Sequence, residues 1–322
     1  MFFYNKNNFK FFSFGRNAIY HIFENINLEK DGLVLIPNLI CDVVLPPIEK
    51  FSNNIAYYSL NSRLEPDNIY EYKNVKVIFV VNYFGFAQDM SKLLNYCLEN
   101  QIILIEDNAH GIFSKDKLNN YLGTRADFGI FSYRKTFFLP DGAILFHKSI
   151  NYVQNVNCQY WNPILITYNI KKILLFLSKI LNVNILLIFR KKYLRLKNTI
   201  KIKDRLDNNL NIDARPIKYS INFLSNVNEK KEFNRRRRLY LYFDQYLKNY
   251  NIKPVFDYLP FNTCPYGYPF YVIDETELMR VIHFSNKCGF ECVYWPTLPN
   301  NSNLEYKEGN IGKIYFINFT FQ

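Results

Sequence analysis

Two periodicities alternate along the first 150 residues. Apolar residues at Ala18, Ile19, Ile22, Phe23 and Ile26 have the spacing of one helix face, and "GLVLIP" then reads as a short buried strand. "CDVVLPPIEKF" predicts a helix whose start is blurred by Pro46 and Pro47. "NIAYYSL" and "VKVIFVVNYFG" read as strands, the second apolar on both faces as a central parallel strand would be. "MSKLLNYCLEN" returns to helical spacing, "QIILIEDNAHG" is a two-sided strand ending in acids, and "FGIFSY" and "AILFHK" are two more strands. The alternation predicts an α/β fold with a mainly parallel sheet covered on both faces.

The character changes after residue 150. Between about residues 160 and 205, "IKKILLFLSKILNVNILLIFRKKYLRLK" mixes apolar residues with Lys171, Lys172, Lys179, Arg190, Lys191, Lys192, Arg195 and Lys197. A basic amphipathic segment of this kind packs on its own domain, covers a neighbouring subunit or rests weakly on a membrane surface; the first is the simplest expectation. "NEKKEFNRRRRLYLYFDQYLKNY" predicts a long helix with Phe233, Leu239, Phe243 and Leu247 on its apolar face. Its Arg235 to Arg238 run reads as a solvated face with one member turned inward to a carboxylate, or as a grip for phosphate. "YPFYVI", "ETELMRVIHFSNKCG", "FECVYWP" and "KIYFINF" suggest a small α/β unit with antiparallel pairing. The expected division is a large domain over 1–215 and a small C-terminal domain over 216–322.

Composition narrows the function classes. With 322 residues and 18% aromatics, the chain has the means to bury a large core, and a folded protein is expected. The net charge of +12 suits nucleic acid, anionic membrane or phosphorylated ligands. Nothing resembles a recognition helix, a zinc finger or an RNA-binding aromatic pair, so no nucleic-acid partner is expected. A degenerate scaffold using its basic helices on membrane or nucleic acid is the non-enzymatic alternative. Six cysteines without a CxxC pair, and only four histidines, predict no metal site. No apolar run has signal-peptide or membrane-spanning length, so the expected location is cytoplasmic, with reduced thiols.

Candidate chemistry lies where strands end, because the carboxyl edge of a parallel sheet opens into a crevice. Three ends are polar: Asn82-Tyr83-Phe84-Gly85, Glu106-Asp107-Asn108-Ala109-His110 and Ser132-Tyr133-Arg134-Lys135. Lys135 is either a solvent-facing loop lysine or a nucleophile whose surroundings favour the free amine. Asp107, at the end of another buried strand, needs a cationic partner. Pyridoxal 5'-phosphate satisfies these groups together: its aldehyde takes a lysine, its ring nitrogen must stay protonated, and its phosphate seeks hydroxyls and amides. Ser132 would meet the phosphate. His110 would sit beside the ring or its hydroxyl, although a core histidine fits the spacing equally well. Near the start of the chain, Gly15, Arg16, Asn17 and Ala18 lead into a helix whose free amides and dipole favour an anion.

The ordered set "SFGRNAIY", "IPNLICDVVLPPI", "VVNYFG", "IEDNAHG", "GTRADFGIFSYRKT" and "PDGAILF" resembles the DegT/StrS group of sugar-nucleotide aminotransferases. The resemblance resumes from "RRRRLYLYFDQYL" to "GFECVYWPTLP" and spans about three quarters of the chain. It implies the PLP-dependent transferase-like fold (fold type I), with Lys135 bonding the cofactor aldehyde, Asp107 pairing with the pyridine nitrogen and His110 close to the ring. It also matches Ser132 and the Gly15 to Ala18 turn with phosphate ligands, and Asn82 and Tyr83 with the strand end approaching the cofactor. The activity implied is amino transfer from a donor such as glutamate to a keto-sugar nucleotide, in surface-polysaccharide or deoxyaminosugar synthesis, by a homodimer with shared active sites. A PLP enzyme of other chemistry, such as a sugar dehydratase or one acting on a small amine, is the alternative. The chain departs from the family in having Leu39 where many members carry an aromatic, in the three-residue interval from Ser132 to Lys135, and in its short C-terminal end.

Overall fold

The computed structural model describes residues 7–29, 31–150, 157–180, 215–272, 274–295 and 313–320. A seven-stranded sheet is built from β1 (Phe9–Phe12), β2 (Leu33–Pro37), β3 (Ile55–Tyr58), β4 (Val75–Val81), β5 (Ile103–Asp107), β6 (Phe128–Ser132) and β7 (Ala143–His147), in the spatial order β1-β7-β6-β5-β4-β2-β3. The pairs β3–β2, β2–β4, β4–β5 and β5–β6 are parallel, while β7 runs antiparallel to both β6 and β1. The expected parallel sheet is therefore present, interrupted by one reversed strand, β7, which lies between β6 and the edge strand β1.

The helices α1 (Gly15–Asn25), α2 (Leu45–Glu49) and α3 (Ser91–Glu99) follow the predicted apolar periodicity, and α1 buries Ala18, Ile19, Ile22 and Phe23. Pro46 and Pro47 occupy the first turn of α2, where a proline's missing N–H costs no hydrogen bond. After β6 the chain makes a single helical turn, α4 (Tyr133–Thr136), rather than extending the strand through Lys135. Then come α5 (Ile164–Ile180), α6 (Lys218–Ser225) and the long α7 (Glu229–Leu247). Residues 181–205 of the basic amphipathic segment lie outside the described residues.

A second, wholly antiparallel sheet has the order β10-β11-β9-β8, from β8 (Ile252–Pro254), β9 (Gly267–Val272), β10 (Glu291–Trp295) and β11 (Ile314–Asn318), with α8 (Glu275–Lys287) packed beside it. One continuous cluster of buried side chains joins the two sheets, running from Ile36, Phe79 and Ile105 through Tyr240 and Phe243 to Phe270 and Phe316. The buried stripe of α7 is Arg236, Tyr240, Phe243 and Leu247, at i, i+4, i+7 and i+11. Phe243 and Leu247 were expected there; Phe233 and Leu239 are only partly buried, and a charged residue leads the stripe instead.

The two sheets meet across the carboxyl ends of β4 and β5. Gly85 has φ +87°, and a Cβ there would stand 2.6 Å from the Cys264 carbonyl, so only glycine permits this approach. Tyr266 N–H donates to the Phe84 carbonyl at 2.8 Å and Cys264 N–H to Ser114 Oγ at 2.8 Å. The segment before β9 is thereby fixed over the strand ends.

Candidate active site

Successive strand residues face opposite sides, so the adjacent acids Glu106 and Asp107 have different fates. Glu106 is fully buried and takes Arg125 through Nε at 2.8 Å, Nη2 at 2.6 Å and the backbone N–H at 3.0 Å. Asn82 donates to Glu106 Oε1 at 2.8 Å and accepts from Arg125 Nη2 at 3.0 Å and Gln88 N–H at 3.3 Å. With its amide spent in this network, Asn82 locks the ends of β4 and β5 together. The Asn82 side chain therefore faces Glu106 and Arg125, and the Arg125 guanidinium is engaged within the protein by the same network. Tyr83 is buried, donates to the Leu39 carbonyl at 2.9 Å and stands edge-on to Trp295.

Asp107 turns to the other side. Its carboxylate accepts the Ala109 N–H at 2.9 Å. Burial raises its pKa above the usual carboxylate range, while the Lys135 cation and the Ala109 N–H pull it back. His110 lies beside the same lysine, with Lys135 Nζ 3.5 Å from its Nε2 and the Phe84 N–H 3.4 Å from its Nδ1. Burial, with Lys135 adding to it, keeps the His110 pKa well below the ordinary value, so the ring is neutral at physiological pH. Its ring stacks on Tyr266 at 4.5 Å and 6°, and Trp295 meets it edge-on at 5.6 Å. Two aromatics of the antiparallel sheet region thus roof the strand ends.

The turn carrying Lys135 is held at both of its last carbonyls. Thr320 Oγ1 donates to the Lys135 carbonyl at 2.7 Å, and Arg236 Nη2 to the Thr136 carbonyl at 2.6 Å. Arg236 is 1% exposed; it pairs with Glu232 at 2.6 Å and donates to the Tyr266 carbonyl at 3.1 Å. Burial pushes the Glu232 carboxyl up, but Arg235 and Arg236 outweigh it and hold the group below the usual range. One arginine of the run does turn inward to a carboxylate, as its sequence suggested. That it also clamps the lysine turn had no signal in the sequence, because four consecutive arginines read as a solvated face.

Ser132, at the end of β6, is buried at 5% exposure. Gly15, at the start of α1, packs on β6, where a Cβ would lie 3.7 Å from Ile130 Cγ2. Gly142 N–H donates to the Ser13 carbonyl at 2.7 Å and its carbonyl accepts from Tyr133 N–H at 2.9 Å, tying the start of α1 to the lysine turn. Asn17 and Ala18 are buried, whereas the guanidiniums of Arg16 and Arg134 lie 4.7 and 5.3 Å from the Phe14 ring centre. The Asp141 carboxylate of the "PDG" turn accepts from Ile217 N–H and Ser220 Oγ, so this acid anchors α6. Leu39 is buried in the core. Cys41, two residues on, was not singled out by the sequence; burial raises its thiol and the nearby Lys135 cation pulls it down.

These residues fit pyridoxal phosphate. The half-buried Asp107, its pKa raised, gains from a pyridinium N–H, the primary amine of Lys135 stands on the next strand's turn, and the buried Ser132 hydroxyl ends the strand on which the start of α1 packs. Lys135, Asp107 and His110 are brought together, Ser132 ends the strand on which Gly15 packs, and Asn82 donates its N–H to the Asp107 carbonyl at 2.9 Å while its side chain faces Glu106.

Residues 44–156 match the model of the DegT/DnrJ/EryC1/StrS aminotransferase family. Among solved structures, the chain is similar to the aminotransferase TlmJ from Streptoalloteichus hindustanus, with 15% identity, 97% of this chain and 80% of that one covered, and a TM-score of 0.61. PseC of Helicobacter pylori, an aminotransferase involved in the biosynthesis of pseudoaminic acid, gives 10% identity, 96% and 81% coverage, and 0.62. The GDP-4-keto-6-deoxy-D-mannose-3-dehydratase of E. coli, with bound hydrated PLP, gives 14%, 98% and 84%, and 0.61. At these identities the likeness establishes the fold, that of fold-type I PLP-dependent transferases.

Proposed function

We propose, from the match of residues 44–156 to the DegT/DnrJ/EryC1/StrS aminotransferase family model, that this chain is a pyridoxal-phosphate-dependent aminotransferase acting on a keto-sugar nucleotide. The observation that carries the reading is the convergence of Lys135, Asp107 and His110 from two neighbouring strand ends. Pyridoxal phosphate, when bound, supplies an aldehyde that captures amines and a ring that draws electrons from the carbon beside the captured nitrogen.

The protein's own groups do the rest. Asp107 keeps a proton on the ring nitrogen, and neutral His110 packs against the ring or its hydroxyl. Ser132 and the Gly15 to Ala18 turn hold the phosphate. Lys135 Nζ takes the proton from the α-carbon of the amino donor and returns one to the sugar carbon being aminated. Tyr266 and Trp295 exclude water above the strand ends. Glutamate as donor, a homodimer completing each site, a cytoplasmic location and a role in surface-glycan or deoxyaminosugar synthesis belong to the same proposal, as does a division of the chain near residue 215.

The dehydratase named among the structural neighbours favours one second reading, loss of water from the sugar in place of amination. Incubation with glutamate and a panel of keto-deoxysugar nucleotides, followed by mass analysis of the products, separates the two. A product carrying nitrogen, formed with 2-oxoglutarate, supports amination; a dehydrated product without nitrogen replaces it.

A further inference from the structure

Helix α5 is anchored by one face and bare on the other. Tyr168 is 6% exposed; its hydroxyl donates to the Phe138 carbonyl at 3.3 Å and meets the Tyr219 hydroxyl at 3.1 Å. On the opposite side Ile166, Ile170, Ile173 and Leu177, at i, i+4, i+7 and i+11, form one outward stripe, joined at its margin by Phe176. These five are between 39% and 64% exposed. At 3.6 residues per turn, the exposed Lys171 and Lys172 stand about 130° to either side of the stripe's centre. Tyr160 and Trp161 are exposed just before the helix begins.

An anionic bilayer is the occupant this face fits. From residue 157 to 180 the chain has cations and no Asp or Glu, so its charge complements anionic headgroups. A symmetric contact with a second copy through the same stripe would bring no acid of this segment to its lysines. The helix does not cross: no helix among the described residues is long and apolar enough, and Tyr168 ties the back of α5 to the protein. We propose that α5 lies flat on an anionic membrane surface, its isoleucine stripe in the acyl boundary, Lys171 and Lys172 at the lipid phosphates and Trp161 at headgroup depth. This surface is separate from the candidate active site and stands whether or not amination is the activity.

The test is co-sedimentation of the full chain with vesicles of phosphatidylcholine containing 30% phosphatidylserine, against phosphatidylcholine alone, at low and high salt. The composition is a choice of probe suited to basic surfaces. Binding to the anionic vesicles only, weakened by salt, is expected. It falls at least tenfold in the Ile170→Ser/Ile173→Ser variant and in Lys171→Glu/Lys172→Glu, since each lysine contributes about fivefold. Both pairs are on the surface, and unchanged circular dichroism shows that the fold persists. Absence of binding by the unaltered chain, or equal binding by both variants, overturns the proposal. So does a dimer that the isoleucine variant dissociates while vesicle binding stays the same, because the stripe would then cover a second copy.

Discussion

Asp107 and Glu106 differ by one position and serve opposite ends. Glu106 faces Arg125 and Asn82 in a closed network, while Asp107 is left with one amide and the Lys135 charge. Replacing Asp107 with Asn removes the charge that holds a proton on the cofactor ring, and kcat should fall by about 10²–10³ with little loss of stability, measured as single-turnover amination. His110 has the reverse sign of pH effect from a paired histidine. Its folded pKa lies below the ordinary 6.5, so its contribution to stability is complete above that value and is lost as pH falls beneath it. His110→Gln should therefore lessen the drop in urea midpoint between pH 7 and pH 5. His21, lowered to about 4 by burial and by Lys10, contributes with the same sign and remains in the variant as an internal control. At this scale the placement of Asp107, His110, Ser132 and Lys135 at or just after strand ends was legible in the sequence, because polar residues ending apolar strands are conspicuous. Asn82 looked the same from its position alone; only the buried partners Glu106 and Arg125 reveal that its amide is taken.

Among the elements, α7 and the turn α4 depend on each other. Arg236 lies in the buried stripe of α7 and reaches across to the carbonyls of Thr136 and Tyr266. Arg236→Met leaves Glu232 to Arg235 but strips the buried Thr136 and Tyr266 carbonyls of their donor, and should cost about 1–3 kcal/mol in equilibrium unfolding. Gly85→Ala should destabilise by more than about 1 kcal/mol, through a positive φ and contact with the Cys264 carbonyl; the unfolding midpoint reads this directly. Most elements were legible from periodicity, including α1, α3, β4, β5 and α8. The edge strand β1, "FKFF", was missed: four residues with a central lysine give neither alternation nor a continuous apolar run. The first turn after β6 was missed for a different reason, since "SYRKT" has no apolar period and is helical only because Gly142, Thr320 and Arg236 hold it.

For the whole molecule, the parallel sheet supplies the acid and the lysine, and the segment around β9 to β11 supplies the roof and the clamps. Neither part makes the site alone. The order of strands follows from the alternation of elements, whereas the docking of Tyr266 over His110 rests on hydrogen bonds between segments about 150 residues apart, such as Cys264 with Ser114. No local pattern encodes such a pairing, which is why the roof was absent from the sequence reading. The most direct test of the account is borohydride reduction of the protein incubated with pyridoxal phosphate, followed by digestion and peptide mass spectrometry. A phosphopyridoxyl adduct confined to the Lys135 peptide, and lost in Lys135→Ala, is the predicted result; an adduct on other lysines only, or none, would contradict it.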